Sequence, residues 1–154
     1  MAAIRVGDEA PNFTRVAQTG EAISLHDFRG KQAVVVYFYP ADNTPGCTTE
    51  ACAFRDAYQD FVAAGAAVIG ISGDSEDSHQ KFAARKQLPF LLISDADGEL
   101  RKAYGVPKTL WLLPGRVTYV IDKEGVVQQV FNSQLFATQH VKEALATVRR
   151  LSQK

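Results

Sequence analysis

The unbroken run Ala33-Val34-Val35-Val36-Tyr37-Phe38-Tyr39 carries no polar alternation. A strand with one face in water alternates apolar and polar side chains, so this run reads as a central strand covered on both faces. The chain must therefore supply layers above and below a sheet. Pro40 ends the run. Thr44 then reads as a helix N-cap with Pro45 at the first helical position. Ala51, Phe54, Tyr58, Phe61 and Val62 recur at helical spacing, and Gly65 supplies a C-terminal stop.

The remaining segments fit the same plan. Val68-Ile69-Gly70-Ile71 reads as a second buried strand, residues 75–86 as an exposed helix and Phe90-Leu91-Leu92-Ile93 as a third strand. Residues 96–104 read as a short helix. Val117 to Ile121 turns through Asp122-Lys123-Glu124-Gly125 into Val126 to Phe131, a hairpin, and residues 138–151 form a final amphipathic helix. Pro11 to Leu25 folds as a short hairpin around Gly20. The expected fold class is α/β, a mixed central sheet flanked by helices. The order of elements resembles a thioredoxin-like fold with extra N-terminal strands. No repeat, low-complexity tract or linker interrupts residues 1–154, so one domain is expected, long enough to bury a core without staples.

Composition narrows the function. Seventeen basic residues balance seventeen acidic ones, so no net field draws the chain to nucleic acid or an anionic membrane. No apolar run reaches the length of a membrane span. Charge at Arg5 and Asp8 comes too early for a secretory apolar region. The cytoplasm is the default compartment, or an organelle stroma behind a removed targeting segment. Two cysteines are too few for a disulfide scaffold or a four-thiolate zinc site. His26, His79 and His140 lack ligand spacing and are read as surface or capping residues, so no metal is expected.

The two cysteines carry the chemistry. Cys47 lies in the first turn of the helix opened by Thr44, among unpaired backbone N–H groups at the positive end of the helix dipole, which favours a thiolate. At about 100° per residue Cys47 shares the core-facing side with Ala51, Phe54 and Phe61, whereas Cys52 points nearly opposite. Five residues of helix hold their Cα atoms farther apart than the roughly 7 Å that a disulfide spans. Cys47 is thus expected to react in the folded helix, and Cys52 to reach it only after local melting. The geometry suits a thiolate that meets a small oxidant first. Peroxide attack also requires a donor near the O–O bond and a cation for developing negative charge. Thr44 offers a hydroxyl and Gly46 lets the backbone approach closely; spacing does not identify the cation. Two other readings stay open: a thioredoxin-like protein disulfide oxidoreductase, disfavoured by the wide cysteine spacing, and a peroxide-responsive redox sensor or holdase.

Pro40-x-x-x-Thr44-x-x-Cys47 matches the peroxiredoxin signature, and Pro45-Gly46-Cys47-Thr48-Thr49-Glu50-Ala51-Cys52-Ala53-Phe54-Arg55-Asp56 resembles its bacterioferritin comigratory protein, or peroxiredoxin Q, branch. Gly7 to Phe13 and Pro114-Gly115-Arg116 with the strand that follows resemble it too. The resemblance implies a thiol-dependent peroxidase acting on hydrogen peroxide and organic hydroperoxides without metal, haem or flavin. It implies Cys47 as the peroxidatic cysteine and Cys52 as the resolving one, joined in an intramolecular disulfide that thioredoxin or a similar dithiol protein reduces. Thr44 would hydrogen-bond the peroxide and the sulfur, and Pro40 would shield the pocket. Arg116 would favour the thiolate and stabilise transition-state charge, with Glu50 helping to position it. A monomer is expected.

One stretch departs from that pattern. Residues 106–113, which include Trp111, are more apolar than the branch leads one to expect. They read as a loop packed on the core, with an organic-hydroperoxide pocket or a contact surface as the sharper alternatives.

Overall fold

The computed structural model describes residues 4–106, 108–109, 113–133 and 136–153, with the backbone alone described at 108–109 and 113–114. Its strands are β1 (Thr14–Val16), β2 (Ala22–Ser24), β3 (Ala33–Phe38), β4 (Ala66–Ser72), β5 (Leu91–Ser94), β6 (Lys108–Thr109), β7 (Leu113–Pro114), β8 (Val117–Ile121) and β9 (Val127–Asn132). Its α-helices are α1 (Pro45–Asp56), α2 (Tyr58–Ala63), α3 (Glu76–Lys86), α4 (Glu99–Tyr104) and α5 (Ala137–Ser152). Of the stretch 106–113 expected as a loop, residues 107 and 110–112, which include Trp111, lie outside the described residues, whereas the backbone of β6 pairs antiparallel with that of β7.

The central sheet runs β5-β4-β3-β8-β9. β3 pairs parallel with β4 and antiparallel with β8, so the sheet is mixed and β3 lies at its centre. Every residue of β3 is buried, and its side chains divide between two cores as the missing alternation requires. Ala33, Val35, Tyr37 and Tyr39 enter one core with Phe54, Phe61 and Phe82 and the α5 residues Val141, Ala144 and Val148. Val34, Val36 and Phe38 enter the other with Phe13, Leu25, Leu100, Tyr104 and Tyr119. Helices α1, α2, α3 and α5 thus contribute to one face, while the N-terminal segment and α4 cover the second. The hairpin β1-β2 supplies the extra N-terminal strands.

Packing at the sheet centre leaves no slack. A Cβ at Gly70 would lie 2.8 Å from Leu92 Cδ2 and 2.8 Å from Tyr37 Cζ, so glycine lets the Tyr37 ring cross β4. Tyr37 in turn stacks on Phe54 with ring centroids 4.5 Å apart, which fixes α1 against the sheet.

Three expectations need correction. The helical pattern from Thr44 to Gly65 is broken at Ala57 (φ −94°, ψ 1°), giving two helices. The short helix expected from residue 96 starts at Glu99, because the Asp95 carboxylate accepts hydrogen bonds from the backbone N–H groups of Leu100 and Arg101 at 2.9 Å each. His79 and His140 are fully buried, because each lies on the inward face of its helix and finds polar partners there. Only His26 is exposed as expected.

Candidate active site

β3 and β8 are antiparallel, and Phe38 lies opposite Val117. The end of one strand and the beginning of the other therefore share one edge of the sheet. Pro40 follows the first and Arg116 precedes the second, so residues far apart in sequence meet where α1 begins.

The reversal between β3 and α1 depends on Asn43, which adopts a left-handed conformation at φ 65°. Asparagine tolerates that region better than most side chains. Arg85 of α3 donates to its side-chain oxygen at 2.7 Å. Pro40 is half-buried at the end of β3. Thr44 occupies the N-cap position in extended conformation, yet its hydroxyl caps nothing: Oγ1 donates to the Ala41 carbonyl at 2.9 Å. The expected Thr44 donor is thus committed to the loop, and its oxygen is left to accept.

Cys47 is 1% exposed, in the first turn of α1. Arg116, 4% exposed, reaches with its guanidinium two residues of α1 that lie one helical turn apart. Nη1 donates to Glu50 Oε1 at 2.6 Å, and Nη2 lies 3.4 Å from Cys47 Sγ. The cation beside the Cys47 sulfur, which spacing alone did not identify, is Arg116. Burial alone would weaken the guanidinium's hold on its proton, but Glu50 and Cys47 outweigh it and raise Arg116 above its ordinary value. Burial pushes Glu50 the other way, up to about 8, despite the adjacent arginine. Among the described residues, Glu50 Oε2 has no hydrogen-bond partner.

His140 explains that orphan. Its Nε2 lies 2.6 Å from the Ser133 carbonyl, which can only accept, so Nε2 carries the proton. Nδ1 then accepts from the Thr118 hydroxyl at 2.8 Å, and has nothing to offer Glu50 Oε2 at 3.7 Å. Burial lowers His140 to about 4, and Arg116 adds to the effect against the opposing Ser133 bond.

Cys52 is half-buried on another face of α1, and both cysteines are free. An intact helix separates them by about 7.5 Å along its axis alone. The structure therefore brings Cys47, Glu50 and Arg116 together, sets Thr44 and Pro40 in the loop that leads to them, and holds Cys52 apart. Sequence reasoning missed Asp42, His79 and His140. Helical spacing offered a signal for His140, which lies in register with the buried Ala137, Val141 and Ala144. For the pairing of Asp42 with His79 no local signal exists, since it joins a loop to a helix 37 residues away.

Residues 6–130 match the AhpC/TSA family profile. The chain is 53% identical over 151 residues to the chloroplastic peroxiredoxin Q of Sedum lineare, covering 97% of this chain and 81% of that protein. It is 52% identical over 145 residues to the chloroplastic peroxiredoxin Q of Arabidopsis thaliana, covering 94% and 67%. Among solved structures, the peroxidoxin BcpB of Mycobacterium tuberculosis superposes with a TM-score of 0.88 at 37% identity, covering 96% of this chain and 98% of that one. Peroxiredoxin Q of Xanthomonas campestris superposes with a TM-score of 0.86 at 30% identity, covering 98% of each. With this fold and this arrangement around a helix-start cysteine, the chain belongs to the AhpC/TSA family, in its peroxiredoxin Q branch.

Proposed function

We propose that this peroxiredoxin reduces hydroperoxides through Cys47, with Cys52 as the resolving thiol and a thioredoxin-like dithiol protein as the final reductant. One observation carries the assignment of roles: a buried arginine lies against the sulfur of a helix-start cysteine while a buried glutamate holds its other nitrogen. An arginine fixed at both ends is poised both to favour thiolate and to meet charge as it develops, without reorganising.

The Cys47 thiolate attacks the terminal oxygen of ROOH. The S–O bond forms as the O–O bond breaks, sulfur loses two electrons, and the departing alkoxide takes a proton to become ROH. Thr44 Oγ1, its own proton given to Ala41, accepts from the peroxide hydroxyl and so orients the oxygen that is attacked. Pro40 shields the loop from water. The Cys52 thiol then displaces water from the Cys47 sulfenic acid to form a disulfide, once α1 has unwound. A dithiol partner reduces that disulfide, accepting its two-electron oxidation equivalent.

A reducing compartment suits such a cycle, either the cytoplasm or an organelle stroma, the plant relatives being named chloroplastic; no helix among the described residues is long and apolar enough to cross a membrane. We take the working form to be a monomer. Thioredoxin-coupled NADPH consumption with hydrogen peroxide tests the reading. Wild type turns over, Cys47→Ser is dead, and Cys52→Ser keeps turnover only with a small thiol. A wild type inactive with thioredoxin, glutaredoxin and small thiols alike would overturn it and leave a sensor of peroxide instead.

A further inference from the structure

The loop that presents Thr44 is held from one side by a buried polar cluster with no part in the chemistry above. The Asp42 side chain is 1% exposed, and its carboxylate accepts three hydrogen bonds. Tyr39 Oη donates to Oδ1 at 2.6 Å, and Ser78 Oγ donates to Oδ2 at 2.8 Å. His79 Nδ1 lies 2.8 Å from the same Oδ2. The other ring nitrogen, Nε2, lies 3.1 Å from the Ile93 carbonyl. A carboxylate and a carbonyl both accept, so the ring fills both bonds only when each nitrogen carries a proton. Tyr39 Oη is also within 3.5 Å of Nδ1. The Asp42 backbone N–H donates to Asp74 Oδ2 at 2.7 Å, and Ser72 Oγ donates to that same oxygen at 2.7 Å. Burial by itself would raise the Asp42 carboxyl, but the bonds from His79, Tyr39 and Ser78 outweigh it and hold it below the ordinary range.

A carboxylate buried this deeply costs desolvation, and replacing such a buried polar pair with apolar residues is often neutral or stabilising. Stability therefore gives no sufficient reason for the cluster. Its location gives one. The residue before Asp42 is Ala41, whose carbonyl takes the Thr44 hydroxyl proton. The cluster grips Asp42 by side chain and backbone together, which fixes the peptide carrying that carbonyl. Through it, the direction of the Thr44 lone pairs is fixed.

We propose that the Asp42–His79 pair is a positioning element for peroxide attack, holding the Ala41 carbonyl so that Thr44 presents its oxygen, and not its proton, to the hydroperoxide. The pair acts only through Thr44 and leaves Cys47 itself untouched. This rests on the reading of Cys47 as the attacking thiol.

Two reagents separate that role from a merely structural one. Hydrogen peroxide needs Thr44 as well as the thiolate; iodoacetamide needs the thiolate alone. In Asp42→Asn, which keeps the shape of the side chain, oxidation of Cys47 by hydrogen peroxide falls about tenfold or more, as expected when a reacting group is misplaced. Alkylation by iodoacetamide stays within about twofold, and in a Thr44→Val background Asp42→Asn lowers oxidation no further, as for residues acting on one path. Ser78→Ala, which removes one of the three donors from a half-buried helix position, shows a smaller loss of the same kind and serves if Asp42→Asn does not fold. Oxidation unchanged in both variants overturns the proposal. So does equal loss of oxidation and alkylation, or a loss that multiplies with that of Thr44→Val. A wild type that consumes no peroxide overturns the parent reading as well, whereas an Asp42→Asn protein as fast as an active wild type overturns this one alone.

Discussion

Gly46 and Arg116 pack so closely that a methyl group would push the guanidinium aside: a Cβ on Gly46 would lie 3.0 Å from Arg116 Nη2 and 3.8 Å from Cζ. The guanidinium cannot retreat freely, because Nη1 is bound to Glu50 at 2.6 Å. Glycine in a helix costs about 0.5–1 kcal/mol relative to alanine. At this position it trades helix stability for contact between the cation and the sulfur.

Gly46→Ala therefore separates activity from stability. Peroxide reduction falls about ten- to a hundredfold as Arg116 shifts, while the melting temperature holds or rises. Stopped-flow or competition kinetics beside a thermal melt checks both halves.

The fork of Arg116 matters as well as its charge. Arg116→Met loses about 10²–10³ in peroxide reduction, the usual cost of removing one charge-stabilising donor. Arg116→Lys keeps the charge but cannot hold Glu50 and Cys47 together, so it recovers only part of that rate. A lysine variant as fast as wild type would show that charge alone suffices.

Closure of a Cys47–Cys52 disulfide has to melt α1. That exposes Cys47, Ala51 and Phe54, which are buried in the reduced form. Amide exchange across residues 44–56 is therefore faster in the oxidised protein. Identical protection in the two redox states would mean that the helix survives and the two thiols do not bond.

Phe54 holds the helix down through its stacking on Tyr37 and its contacts with Phe61 and Phe90. Phe54→Ala costs about 3–5 kcal/mol in unfolding free energy, the range for a buried aromatic ring. Chemical denaturation of the reduced form measures it.

Stability should also respond to pH through two buried groups with opposite signs. Burial lowers His140 from 6.5 to about 4, so its contribution is whole above 6.5 and drains away as pH falls toward 4, while the unfolded chain gains a proton. Burial raises Glu50 from 4.5 to about 8, so its contribution is whole below 4.5 and drains away as pH rises toward 8. The two slopes oppose each other between 4.5 and 6.5. In that window His140→Gln leaves stability falling with rising pH, and Glu50→Gln leaves it rising. Denaturation midpoints across the window, parallel in both variants and wild type, would refute the assignment.

The central strand and the start of α1 could be read locally for a physical reason, although the break at Ala57 could not. The run from Ala33 to Tyr39 has no polar break, and only a strand covered on both faces can hide it; the two cores on either side of β3 are that covering. Thr44-Pro45 marks a helix start in any context, and it set Cys47 in the first turn with its side chain inward and Cys52 elsewhere. Where long-range partners intervene, local reading failed. Asp95 moved the start of α4, and inward-facing polar partners drew His79 and His140 out of solvent.

The sequence by itself determined the sheet's central strand, the helix that follows it and the position of the thiol, because those depend on periodicity and capping over neighbouring residues. Only the tertiary structure decided that Arg116 reaches Cys47 and Glu50, that Asp42 meets His79, and that Thr44 gives its proton to Ala41. The first two contacts exist because antiparallel pairing of β3 with β8, and the packing of α3 beside the loop, bring together groups 69 and 37 residues apart. The third spans only three residues, but it depends on a left-handed turn at Asn43 within a loop that those distant partners hold in place.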